Sequence, residues 1–135
     1  MEVKRIRFQI HGDDRGQLVA LEENKNIPFT VKRVYFMYGT KEGVHRGLHA
    51  HKNLRQVLFC PIGACTIKLD SGKEAVTVRL DNPTEGVIVE PNTWREMYDF
   101  TPDAVLVVLA SEYYDEDDYI RDYEEFLEYI KAIDN

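Results

Sequence analysis

The chain has only two cysteines, Cys60 and Cys65, too few for the disulfide framework of a small secreted domain. They flank a Pro-Ile-Gly-Ala turn, so they are expected to face each other across a hairpin as reduced thiols. No apolar run approaches the roughly 20 residues of a membrane-spanning helix. The charged start, Met1-Glu-Val-Lys-Arg, has no apolar segment behind it that resembles a signal peptide. A cytoplasmic location away from membranes is the expectation. Basic charge is scarce as well: 17 Lys and Arg stand against 24 Asp and Glu, and the net charge of −7 argues against a nucleic-acid partner. Internal repeats, linkers and low-complexity segments are absent.

What remains is one ordinary domain. At 135 residues the chain has room for a single compact unit, and 44% hydrophobic residues can build its core without a structural metal. The acids are unevenly placed, nine of the 24 falling between Glu112 and Glu128. The rest of the chain is close to balanced, and a local Arg/Lys cluster there suits a small anionic ligand.

Short β-type segments fill residues 1–110: Val3–Ile10, Gln17–Leu21, Val31–Tyr38, Gly47–Ala50, Gln56–Cys60, Cys65–Leu69, Ala75–Leu80, Val87–Val89, Trp94–Tyr98 and Val105–Leu109. Turn residues such as Asp70-Ser-Gly and Thr101-Pro-Asp separate them. This spacing predicts an antiparallel sandwich or barrel, with the wholly apolar Val105–Leu109 in a doubly covered position. A helix is predicted over about 115–133, where Tyr119, Ile120, Tyr123, Phe126, Leu127, Ile130 and Ile133 recur at spacings of three and four. Asp115 is its expected N-cap, and the acids behind it suit the positive end of the helix dipole.

His49 and His51 share one face of a strand, since alternate residues project the same way. Around them runs G-x5-H-x-H-x4-Q-x6-G, from Gly43 to Gly63, with Gln56 as the third polar mark. This resembles the first signature of the cupin superfamily, with Gln in place of the acid. The second signature should supply another histidine after Gly86 and Pro91, and Arg95 and Glu96 stand there instead. Gln is a poor metal ligand and Arg cannot ligate, so two imidazoles remain where sites of this kind need at least three protein ligands. No metal is expected. A satisfied structural pair is the other reading of the two histidines, but Arg46 and Lys52 flank them. Imidazoles, guanidiniums and tyrosines together suit an anionic, hydroxyl-rich ligand, and imidazole is suited to proton transfer near neutral pH.

Four blocks carry a closer resemblance: "DDRGQLVALEENKNIPFTVKRVYF" (13–36), "RGLHAHKNLRQVL" (46–58), "EPNTWREMYDF" (90–100) and "VLASEYYDEDDYIRDYEEF" (108–126). They resemble the bacterial dTDP-4-keto-6-deoxyglucose 3,4-ketoisomerases over almost the whole chain. The resemblance implies a single, mainly β cupin domain over 1–135, a jelly-roll antiparallel β-barrel over about 1–110 followed by a C-terminal α-helix. It implies an isomerase needing no cofactor, and a homodimer, with exchange of N-terminal strands between subunits left open. It further implies a dTDP-linked 4-keto-6-deoxy sugar as substrate, and a place in making 3-amino-3,6-dideoxyhexoses for surface glycans.

By the same resemblance, His49 matches the catalytic base and His51 its partner near the sugar oxygens. Arg15, Arg46 and Arg95 are candidates for oxyanion or pyrophosphate contacts, with Lys52 beside the histidines and Arg33, Tyr35 and Gln56 as pocket lining. His11 and His45 are expected to be exposed or loop histidines. Some members of the family pair an Arg in the D-x-R-G turn with a His in the W-H-E-M segment, and others pair Tyr with Arg. Arg15 with Arg95 mixes the two patterns. In a gluco ring the hydrogens on carbons 3 and 4 lie on opposite faces, so one histidine on one face yields the galacto product. The gluco product needs a proton from the other face, and both outcomes stay open at this point. Two other functions fit a cupin: a non-catalytic sugar- or nucleotide-binding module, and a metal-dependent enzyme.

Overall fold

The alternating segments assemble, in a computed structural model describing residues 1–134, into two facing five-stranded sheets. One contains, in order, β1 (Lys4–Arg7), β9 (Glu85–Val89), β6 (Gln56–Ile62), β11 (Val105–Ala110) and β4 (Arg33–Tyr38). The other contains β12 (Tyr119–Ile120), β5 (Arg46–His51), β10 (Trp94–Tyr98), β7 (Cys65–Asp70) and β8 (Ala75–Leu80). Neighbouring strands are antiparallel throughout both sheets. β2 (Ile10–Asp13) and β3 (Gly16–Val19) form a hairpin of their own. This is the expected cupin-type jelly roll, with the barrel flattened into two sheets.

The period-two pattern sorts each strand between two environments. Leu58 and Cys60 of β6, Ile67 and Leu69 of β7, and Leu106 and Val108 of β11 meet between the sheets. Val57, Phe59 and Leu109 point the other way and are covered by Phe8, Ile27 and Phe29. This second layer explains why β11 carries no polar alternation. Cys60 and Cys65 are free buried thiols, their sulfurs 3.6 Å apart across the turn from β6 to β7.

That turn also joins the two sheets, and it depends on Gly63. The residue takes φ 69°, and a Cβ there would lie 2.5 Å from Thr101 Oγ1 and 2.6 Å from Ala104 Cα.

The C-terminal expectation needs correction. The helix α1 spans Tyr123–Ile133 and does not begin at 115. Asp115 caps a single 3₁₀ turn, Glu116–Asp118, while Asp122 caps α1 by accepting from the amides of Glu124 and Glu125. Between the two caps, Tyr119 and Ile120 are drawn into β12, where they pair with His51 and Ala50. Sheet pairing therefore overrides a helical period that was sound only from Tyr123 onward. Phe126 and Ile130 of α1 pack with Ala50, Trp94 and Ile120 on the outer face of the second sheet. At the other end, the expected strand Val3–Ile10 is divided into β1 and the start of β2.

Replacing Gly63 with Ala combines a left-handed backbone with overlap on Thr101 and Ala104. Gly63→Ala is expected to destabilise the fold by at least about 2 kcal/mol, measured by urea unfolding. A variant as stable as the wild type would contradict the tight inter-sheet turn.

Candidate active site

A β-bulge aims the histidine strand. Arg95 of β10 pairs with His49, yet Met97, two residues on, pairs with Arg46, three residues back, so β5 carries one extra residue. Gly47 absorbs it at φ 69°. Arg46 and His49 have opposite parity, and the bulge lets both border one cavity.

The cavity has a volume of about 500 Å³ and receives four guanidiniums, from Arg33, Arg46, Arg95 and Arg121. His49, Tyr35 and Tyr119 also line it. Arg95 is 1% exposed and forms no salt bridge among the described residues. Its Nη1 donates to Gln56 Oε1, and its Nη2 lies 2.8 Å from His49 Nε2 and 3.4 Å from the Tyr35 hydroxyl. Gln56 in turn donates its amide to Tyr35, at 2.9 Å. A carboxylate at position 56 would neutralise the cation; the amide accepts from Nη1 and leaves the charge in place, and Nε has no partner.

His51 sits behind this wall. It is buried, with its ring edge-on to His49 at 4.7 Å and against Tyr119 at 4.3 Å between centroids. Burial, then the Arg95 charge, holds the imidazoles neutral: His49 is lowered to about 3 and His51 to about 2. Neutral imidazoles can accept a proton.

Arg33 stacks over Tyr35 at 5.3 Å and keeps its Nε buried without a partner. Lys52 lies elsewhere. It shares the parity of Ala50, so it projects from the outer face, with its Nζ 5.8 Å from the Tyr129 ring of α1. Arg15 also lies outside this cavity, exposed at the β2–β3 turn and bound to Asp13 at 2.6 Å. His11 is exposed, and His45 stacks on Tyr98 outside the cavity.

Sequence reasoning missed four contributors in the acidic run. Tyr119 packs on both histidines, and Arg121 lies over its ring at 4.3 Å. Glu116 accepts from Arg121 at 2.8 and 2.9 Å and from the Tyr114 hydroxyl; these bonds lower its pKa to about 2. Asp118 is buried next to His51. One signal was available: in Tyr119-Ile120-Arg121 a buried Ile alternates with two pocket residues, a strand pattern inside a helical reading.

A cationic cavity lined by one neutral imidazole and backed by a second, with no trio of His, Cys, Asp or Glu placed for a metal among the described residues, suits proton chemistry on an anionic ligand. Residues 1–131 match the family model FdtA, described as WxcM-like, C-terminal. The chain belongs to this family. A relative from Aneurinibacillus thermoaerophilus, TDP-4-oxo-6-deoxy-alpha-D-glucose-3,4-oxoisomerase, is 53% identical over 98% of this chain and 96% of its own. The crystal structure of a 3,4-ketoisomerase from Helicobacter canadensis superposes with a TM-score of 0.93 at 46% identity, covering 97% of this chain and 98% of that one. A histidine-to-asparagine mutant of the 3,4-ketoisomerase QdtA from Thermoanaerobacterium thermosaccharolyticum, solved with TDP-4-keto-6-deoxyglucose, gives a TM-score of 0.93 at 42% identity. It covers 96% of this chain and 94% of that one. This FdtA-family chain thus shares fold and length with 3,4-ketoisomerases.

The depressed imidazole pKa values set a pH dependence of stability. Between the ordinary value of 6.5 and the folded values of about 3 and about 2, the unfolded chain binds more protons than the folded one. The stabilisation is therefore full above 6.5 and is lost as the pH falls. Urea midpoints followed from pH 8 down to pH 5 are expected to drop on the acid side, and to drop less in a His49→Asn/His51→Asn double variant. A flat wild-type profile over that range would count against buried neutral imidazoles.

Proposed function

We propose that this chain converts dTDP-4-keto-6-deoxyglucose into a dTDP-3-keto-6-deoxyhexose, a step toward 3-amino-3,6-dideoxyhexoses of surface glycans. The observation that carries this reading is the buried Arg95 guanidinium, held against His49 with no carboxylate partner beside an arginine-lined cavity. Moving a ketone from carbon 4 to carbon 3 needs a base for the carbon 3 proton, which the neighbouring carbonyl acidifies. It also needs a cation for the enediolate oxygen and a second proton carrier.

His49 is the base. In the free protein its Nε2 accepts from Arg95. As the proton arrives at His49, the guanidinium turns its donor to the developing oxyanion, and an arginine stays charged throughout. The diphosphate of the substrate brings negative charge among Arg33, Arg46 and Arg121, and this raises the basicity of a histidine otherwise depressed by burial, Arg95 and Arg121. His51, in edge contact with His49, is the second proton carrier. Tyr35 and Gln56 hold Arg95 in place.

The working unit is a homodimer. The β2–β3 hairpin is nearly all exposed and pairs only with itself among the described residues, and an isolated hairpin is marginal in water. Val34, Phe36 and Tyr38 also face solvent along the edge strand β4. A second subunit covers both features, with N-terminal strands exchanged. Arg15 can act on a sugar only in that arrangement, by reaching the partner's cavity.

Two measurements test this. With dTDP-4-keto-6-deoxyglucose in deuterated buffer, NMR is expected to show isomerisation by the wild type, with or without EDTA, and the same spectra read the configuration at carbon 4. His49→Asn should lose at least ~10² in turnover, as general-base removal typically does, with nucleotide affinity little changed. His51→Asn should keep deuterium wash-in at carbon 3 while isomerising poorly. A wild type that binds the sugar without any wash-in would make the protein a binding module, and loss on EDTA treatment would make it a metal enzyme.

Sedimentation velocity at micromolar concentration is expected to give a dimer. A stable monomer would leave the exposed hairpin and the β4 face unexplained.

A further inference from the structure

His51 is 4% exposed, and neither of its ring nitrogens has a hydrogen-bond partner. A neutral imidazole presents one N–H donor and one lone pair, and a buried ring with neither satisfied needs a reason. Oδ2 of Asp118 lies 3.6 Å from Nδ1, one small side-chain rotation outside hydrogen-bonding range.

Asp118 is itself buried and tied to the same stretch of chain. Its carboxylate accepts from the amides of Asn53 at 2.8 Å and Leu54 at 3.3 Å, and its carbonyl accepts from the Lys52 amide at 3.1 Å. The carboxylate therefore moves with the end of β5 that carries His51. Its other side borders a separate cleft of about 380 Å³, lined by Asn53, Glu112, Tyr113, Tyr114 and Asp115. His49, Tyr119 and the charges of Arg95, Arg33 and Arg121 make up the rest of the environment around His51. Asp118 is the carboxylate within ion-pairing distance of it.

We infer that Asp118 is a positioning residue for His51: its carboxylate takes the Nδ1–H, leaves the Nε2 lone pair free, and faces the positive charge formed when Nε2 receives a proton. The inference rests on the ketoisomerase reading for the proton transfer alone. Atoms and electrons balance in that step. One enediol O–H bond breaks as the Nε2–H bond forms, and the reverse transfer to the neighbouring oxygen restores neutral His51. Asp118 keeps its charge throughout and takes no part in bond making.

The test begins with wild-type protein labelled with ¹⁵N-histidine. Long-range ¹H–¹⁵N correlation is expected to show His51, assigned by its loss in His51→Asn, as the Nδ1–H tautomer. An Nε2–H tautomer overturns the inference whatever the activity. Asp118→Asn supplies the second readout. Its kcat is expected to fall at least about tenfold with KM within about threefold, while deuterium wash-in at carbon 3 survives, because His49 is untouched. Unchanged kcat, or wash-in and isomerisation falling together as a loosened site would give, overturns the assignment. If Asp118→Asn does not fold, the tautomer of the wild type decides. A wild type that shows the Nδ1–H tautomer but no isomerisation would uphold the pair and defeat the proposed reaction, so the two failures are distinguishable.

Discussion

A guanidinium buried without a carboxylate is the constraint on which the rest of this structure depends. Arg95 is as buried as the core around it, and taking a cation out of water is expensive unless its donors are satisfied. Here the compensation is partial and comes from neutral groups: the Gln56 carbonyl, His49 Nε2 and the Tyr35 hydroxyl meet the two Nη groups, while Nε is left without a partner. Each of those residues is fixed by a different strand, β6, β5 and β4, so the charge holds three strands to the geometry of one site. Because no anion cancels it, the positive field extends into the cavity and adds to burial in keeping both histidines neutral.

The arrangement suits proton chemistry on a scaffold whose signature gathers metal ligands in other cupins. The cupin signature concentrates side chains on two hairpins that face into the space between the sheets. With Gln56 where the signature has an acid, and Arg95 near the place of its further histidine, a fixed guanidinium stands beside the imidazoles. A guanidinium so placed can stabilise an oxyanion, and in the free protein it donates to His49 Nε2. Outside this centre, Glu116, Arg121 and Tyr114 form a rim network that props Tyr119 against the histidines. The segment between Asp115 and Arg121 is therefore part of the site and only secondarily the approach to α1.

Much of this was legible in the residues. The short β-type segments separated by turn residues marked a β sandwich or barrel, and the spacing from Gly43 to Gly63 placed His49 and His51 on one strand face. The turn at Gly63 and the paired thiols of Cys60 and Cys65 followed from the same stretch. Arg95 stood out because it occupies the place of a ligand. Lys52 looked like a pocket cation by its nearness in sequence, and strand parity sends it to the other face.

The sequence by itself determined the fold class, the histidine pair and the cationic character of its surroundings, because side-chain period and residue chemistry are local properties. Only the tertiary structure decided which charges converge. The bulge at Gly47 brings Arg46 and His49 to one wall, and the pairing of Tyr119 with His51 turns an apparent helix start into a lining strand. Closure between Asp118 and the end of β5 then sets a carboxylate beside a buried imidazole, 67 positions separating Asp118 from His51 in the chain. Such contacts arise from register between distant strands, which no local pattern encodes.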